Sequence, residues 1–485
     1  MRVDLEESVT QGDVNSNLKC TTTVDSISRN HADNLADHLY KYKASVPIPP
    51  LGMVDDQISV SNCGLDSVMS TAHLNAQSNI KKLQFGAKKC HKMHVGKSSI
   101  VCPVNTIDTW KLEPKQENIS TIFDLIDKEG EKYHLESVKS DVYLGDVLQC
   151  NAKNDINITE RSNRGNGTVI QIVQMLEDLC LGRYFFEAAL LLRNSMLLST
   201  LLSNSESWYN LTKNDIGKLE STDEQLLRKI FSAPKSTPKE LLYLESGSLP
   251  IRYILISRRL NFLWYILNQN DDSMLTEFLR AQCENPVKGD WILTVMDDLK
   301  ELDIKENLDD IREISKDKFK KIVKIKVKEK AFKYLSELQE THSKSKNIKY
   351  HDLSLQEYLK PDTSDLSIKE KSFIFNARSR MLNVSCNFKD GKSSILCRKC
   401  DDEYETQEHL LSCKALDDNS VMNRNDIPSY EDIFGSDTEK IKLIGRILLN
   451  KFKLLSSDKT LCTDNIINHN NYTGAASVSL TEDMD

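Results

Sequence analysis

The alternation of apolar and polar residues changes its period several times along the chain. Across LDSVMSTAHLNAQSNI (65–80) the apolar residues Leu65, Val68, Met69, Ala72, Leu74, Ala76 and Ile80 recur at three- and four-residue spacing, which predicts a helix. Leu83 and Phe85 then start an extended piece, and LGMVDDQISV (51–60) reads as two short strands meeting at a turn. From about 100 to 166 the chain is polar and broken, with VYLGDVL (142–148) as its one convincing strand and Arg161 to Gly167 as a loop.

Beyond Thr168 the helical period dominates. VIQIVQMLEDLCLGRYFFEAALLLRNSMLLSTLL carries enough apolar residues for helices buried on more than one side. Helices are predicted over ESTDEQLLRKIF (220–231), from the Pro-containing start Thr237-Pro238-Lys239-Glu240, and over IRYILISRRLNFLWYIL (251–267). One or two long helices follow at 304–340, then a small Cys/His unit, then the helix KIKLIGRILLNKFKLL (440–455). Trp208, Trp264 and Trp291 are expected in the core, and no internal repeat is evident.

Composition agrees with this pattern: 39% hydrophobic and 28% charged residues, with only 17 Gly and 11 Pro in 485 residues, suit a mostly helical chain of several domains. No apolar run is long enough to span a bilayer and the N-terminus has no signal core, so an intracellular protein of nucleus or cytoplasm is expected, with its 12 cysteines mostly reduced. The net charge of -8 hides a strong local reversal. Nine lysines fall between Lys316 and Lys333, against Asp317 and Glu329. With Phe319, Ile322, Val323, Val327 and Ala331 at helical spacing, this segment reads as an amphipathic cationic helix: a solvated face, or one that follows a phosphate backbone. Ile251 to Leu267 reads as core with one exposed basic edge, although Arg258 and Arg259 could touch a template strand.

The sharpest chemical pattern is Cys397-x2-Cys400-x8-His409-x3-Cys413. The first pair suits a tight turn that aims two thiolates at one centre. Thr406 can cap a helix that puts His409 and Cys413 one turn apart on one face, as tetrahedral Zn2+ requires. Such a site is structural, with no open position. Acidic residues crowd its loop, so any phosphate contact would fall to its helix or to the flanking Arg378, Arg380, Lys389 and Lys392. A rival grouping, Cys90-His91-x2-His94 with Cys102, is crowded and less favoured.

Asp55 and Asp56 are open to two readings: an ordinary turn, or carboxylates that hold Mg2+ beside a phosphate. Four segments bear on the choice. TQGDVNSNL (10–18), MVDD (53–56), LQFGAKKCHKMHVG (83–96) and YLGD (143–146) occur in an order similar to that in the second half of the reverse-transcriptase domain of non-LTR retrotransposons. The later helical segments, NPVKGDW and the Cys/His unit also resemble the thumb, downstream region and C-terminal CCHC finger of those elements.

The resemblance implies an α+β fold: a partial polymerase palm of antiparallel strands and helices over 1–150, followed by a helical thumb and linker over 151–300. A basic helical segment (301–375), a CCHC zinc module (376–420), a C-terminal helix (421–460) and a disordered tail (461–485) complete the expected order. It further implies that Asp55 and Asp56 are catalytic, with Asp55 the Mg2+ ligand, that Gln11, Gly12 and Lys89 line the nucleotide and template site, and that Tyr143, Leu144 and Gly145 sit at the primer. The implied partners are an RNA template and a DNA primer, with no membrane. Ser16 is followed by Asn17 where the family usually has Pro. The family's first catalytic carboxylate lies upstream of the Gln-Gly segment, and this chain has ten residues before Gln11. The expectation is therefore a remnant of an RNA-directed DNA polymerase that is inactive by itself; the alternative is a non-catalytic RNA- or DNA-binding protein using basic helices and the finger.

Overall fold

A computed structural model of the chain describes residues 27–32, 34, 39–43, 46–48, 50–53, 56–61, 64–80, 90–93, 95, 124–126, 132–134, 136–179, 181–343, 345–362, 365–387, 394–416 and 429–456. The fold is mixed α and β and mostly helical. Its described strands form two-stranded ladders only, four antiparallel and one parallel, and among the described residues no ladder is joined into a larger palm sheet.

Two compact units partition the chain, each assembled from three stretches. The first comprises Met1–Arg161, Asn204–Asp215 and Arg258–Lys321, and the second Ser162–Ser203, Ile216–Ser257 and Ile322–Asp485.

In the first unit the helix Gly64–Ile80 follows the hairpin Leu51–Met53/Asp56–Ile58, as its apolar spacing predicts. The helices Ile251–Leu267 and Trp291–Glu301 contribute Leu260, Leu263, Val295 and Leu299 to the core, each at most 5% exposed. Arg259 joins them rather than facing a template strand: its guanidinium makes two bonds of 2.6 and 2.9 Å to the Asp298 carboxylate. A buried arginine needs such a planar partner, because an unpaired charge in the interior costs several kcal/mol, on the order of 3–5. Trp208 is buried as expected. Trp264 and Trp291 are only half-buried, and their indole N–H groups donate to the carbonyls of Ile314 (2.8 Å) and Glu206 (2.9 Å).

The segment 161–167, expected as a loop, is helical, inside the uninterrupted helix Asp155–Asp178. At Gly165 an added Cβ would come within 2.5 Å of Leu201 Cδ2 and 3.0 Å of Thr222 Cγ2, so glycine there permits close helix packing. VYLGDVL likewise is not one strand: it folds back as the hairpin Ser140–Tyr143/Asp146–Gln149, with Leu144 (φ 49°) and Gly145 (φ 84°) in its two-residue turn.

The second unit is built on Lys213–Phe231, Lys239–Ser246, Ile368–Arg378 and Thr438–Ser456, where Phe231 stacks on Phe375 at 4.3 Å. Between Phe185 and Leu201 the helix passes through a π turn at Arg193–Leu197. That widened turn brings Arg193 inward, where its guanidinium holds both oxygens of Asp223 at 2.7 Å. Arg378, expected beside the finger as a phosphate contact, is 1% exposed and pairs with Glu245 at 2.7 Å. Tyr350 and Tyr358 donate to the same carboxylate at 2.7 and 2.9 Å, so Arg378 is an internal brace.

The lysine-rich segment forms the helix Lys316–Thr341. Phe319, Val323, Val327, Ala331, Leu335 and Gln339 are buried at a strict four-residue interval. Each step of four overshoots a turn by about 40°, so over five steps the buried line winds about 200° around the helix. Lys316, Lys318, Lys320, Lys321, Lys324 and Lys333 are exposed along it, while Lys328 pairs with Asp352 at 3.3 Å.

Candidate metal centre and candidate nucleic-acid surface

Residues 396–405 build the first half of the metal centre. Leu396 bridges Tyr404, the Cys397 N–H donates to the Glu403 carbonyl at 2.7 Å, and the Asp401 N–H donates to the Cys397 carbonyl at 2.9 Å. Asp401 turns the chain with φ 56°, a conformation that aspartate tolerates. The backbone N–H groups of Glu403 and Asp402 are thereby aimed at the Cys400 sulfur and hold its thiol down to about 7.

The second half is the short helix Gln407–Ser412. Thr406 caps it as expected, its hydroxyl accepting from the His409 N–H at 3.0 Å. His409 and Cys413 therefore face the knuckle from one side of the helix, four residues apart. Burial, then the neighbouring Cys397, push the Cys413 thiol up to about 11.

The four candidate ligand atoms of Cys397, Cys400, His409 and Cys413 all lie within 4.8 Å of one another. Cys397 Sγ and Cys413 Sγ are 3.9 Å apart, and Cys400 Sγ is 3.3 Å from His409 Nε2. Tetrahedral zinc with ordinary bond lengths requires S···S of about 3.8 Å and S···N of about 3.6 Å. These two pairs thus agree with Zn2+ to within a few tenths of an ångström, within a set that spans up to 4.8 Å. Three thiolates and one imidazole also suit zinc better than Mg2+, which prefers oxygen.

The module is fastened by groups that spacing did not reveal. Glu405, fully buried, accepts from the Arg398 guanidinium and from the Ser385 N–H at 2.8 Å. Gln407 accepts from the Leu382 N–H at 2.9 Å and donates to the Ala377 carbonyl at 3.0 Å. Arg380 pairs with Glu408 and lies over the Phe434 ring at 5.0 Å. Lys389 and Lys392 lie outside the described residues.

The other candidate residues divide. Gln11, Gly12, Asp55 and Lys89 fall outside the described residues, as do His94 and Cys102 of the rival metal grouping. His91 pairs with Asp141 at 2.9 Å. Asp56 is exposed, opposite Met53 in the hairpin register. The Tyr143 hydroxyl donates to the Leu51 carbonyl at 3.4 Å, so the two hairpins meet, and burial followed by the Asp56 charge raises the Tyr143 phenol. Leu144, at the tip of the second hairpin, is 42% exposed. Its hairpin is anchored at Asp146, which accepts from Asn157, Arg161 and Asn204 at 3.1, 2.8 and 2.7 Å. Among the described residues Asp56 belongs to no group of three or more converging metal-binding side chains.

Among the described residues no helix is long and apolar enough to cross a membrane. No protein-family model, curated protein or solved structure matches the chain.

Proposed function

We propose that this chain is a nucleic-acid-binding polypeptide derived from a non-LTR reverse transcriptase, held together at its C-terminal end by structural zinc. Its ligand is an RNA template paired with a DNA primer. The observation that carries this reading is the meeting of the MVDD and YLGD hairpins through Tyr143 and Leu51, since the resemblance assigns those two segments to the catalytic turn and the primer grip. The exposed lysines of Lys316–Thr341 supply phosphate contacts, and Gln11, Gly12 and Lys89 take the nucleotide-facing roles.

Polymerisation is not proposed for this chain alone. Two-metal nucleotidyl transfer uses carboxylates from more than one strand, and the resemblance assigns only Asp55 and Asp56, both from one turn, with Asp55 as the Mg2+ ligand. The Cys3His centre has four protein ligands and therefore serves folding, not catalysis.

A primer-extension assay on an RNA–DNA template-primer with Mg2+, run beside a binding assay on the same duplex, tests the reading. Binding without extension is the expected result. Extension that vanishes in Asp55→Ala would show a working polymerase, and absence of binding would remove the proposal.

A further inference from the structure

Two side chains outside the ligand set converge on the two ligands that the short helix carries. The His409 ring has Nε2 toward Cys400 and Nδ1 2.9 Å from Glu403 Oε2. A carboxylate there fixes the tautomer with the proton on Nδ1 and leaves the Nε2 lone pair for a metal. Glu403 comes from the knuckle that presents Cys397 and Cys400, so one short segment supplies two ligands and orients a third.

At the other end of the helix the Lys451 ammonium donates to the carbonyls of Leu411 at 2.7 Å and Cys413 at 3.3 Å. Lys451 is only 7% exposed and belongs to the C-terminal helix Thr438–Ser456. Helix carbonyls at a C-terminus lack intrahelical partners and carry partial negative charge, so a cation there is favoured. The position matters more when metal is bound, because Zn2+ with three thiolates and a neutral imidazole carries a net negative charge.

We infer that Glu403 and Lys451 are positioning residues of the metal centre, Glu403 setting the His409 ring and Lys451 holding the Cys413 end while offsetting the thiolate charge. Zinc loading and docking of the C-terminal helix are thereby coupled. This inference rests on the zinc reading proposed above.

The test is the zinc dissociation constant of the full chain, measured by competition with a chromophoric chelator, for wild type, E403A, E403Q, K451M and K451R. E403A and K451M are expected to bind zinc about 10- to 100-fold more weakly. E403Q is expected to stay near wild type, because its amide oxygen can accept the same Nδ1 proton, and K451R is expected to restore most of the loss. In zinc-loaded wild type the ¹⁵N shifts of His409 should report a metal-bound Nε2 and a protonated Nδ1, a signature that E403A blurs. Wild-type affinity in E403A with unchanged His409 shifts would overturn the role of Glu403, and wild-type affinity in K451M that of Lys451. A wild-type chain that takes up no stoichiometric zinc would instead overturn the metal centre itself.

Discussion

Arg378 Nε lies 2.7 Å from Glu245 Oε1, a contact between residues 133 positions apart in the sequence, with both side chains 1% exposed. The pair joins the helix Lys239–Ser246 to the helix that leads into the metal module. Glu245→Ala would leave a guanidinium buried with its main carboxylate gone and two tyrosine hydroxyls without their acceptor. The expected loss is about 3–5 kcal/mol, read by denaturant unfolding of the second unit. A loss below about 1 kcal/mol would mean that water reaches Arg378.

Neighbouring glycines in one helix should respond in opposite directions. Gly167 has nothing within 4 Å of an added Cβ, so Gly167→Ala is expected to stabilise by roughly 0.5–1 kcal/mol through helix propensity. Gly165→Ala gains the same propensity, but its Cβ meets Leu201 and Thr222 in a packed interior, where overpacking typically costs about 1–3 kcal/mol. A melting temperature that rises for the first and falls for the second fits the helix; two equal increases would contradict the close packing.

The buried His31 makes the first unit sensitive to acid. Its Nδ1 faces His73 Nδ1 at 3.1 Å and its Nε2 faces Ser70 Oγ at 3.0 Å, and burial, then the His73 charge, lowers its pKa to about 4. The unfolded imidazole titrates near 6.5, so between pH 6.5 and 4 the unfolded state binds more protons. Stability should therefore be lost as pH falls through that window. A His31 proton resonance that titrates near 6.5 in the folded protein would refute this.

Metal removal separates the two units. Chelation is expected to loosen the segment around Cys397–Cys413 and the C-terminal helix bound to it, seen as faster amide exchange there, while the buried amides around Arg259 and Asp298 keep their protection. Uniform loss of protection would mean that the metal centre supports the whole chain.

How far the sequence carried these conclusions differs by region. The helices around Ile251–Leu267 and Thr438–Ser456 were legible because apolar spacing is a local signal. Gly165 was not, since a turn glycine and a packing glycine look alike until Leu201, 36 residues later, is known to press on it. The four candidate ligands Cys397, Cys400, His409 and Cys413 were legible from spacing and a capping threonine. Glu403 looked like one more acid in an acidic loop, and Lys451 stands 38 residues beyond Cys413, so nothing local marked either. Arg378 is open to a phosphate-contact reading, and Arg259 to a template contact beside its core reading, because their carboxylate partners are distant in sequence.

The most direct measurement is fluorescence-anisotropy binding of an RNA–DNA template-primer across a salt series from roughly 50 to 200 mM, for wild type and for the Lys320→Glu/Lys321→Glu/Lys324→Glu variant. Duplex binding that weakens steeply with salt is expected, with the variant binding less tightly and its log–log slope reduced by about 2–3, one unit or slightly less per phosphate contact. No binding at low salt, or identical slopes for the two proteins, would contradict a nucleic-acid surface on this helix.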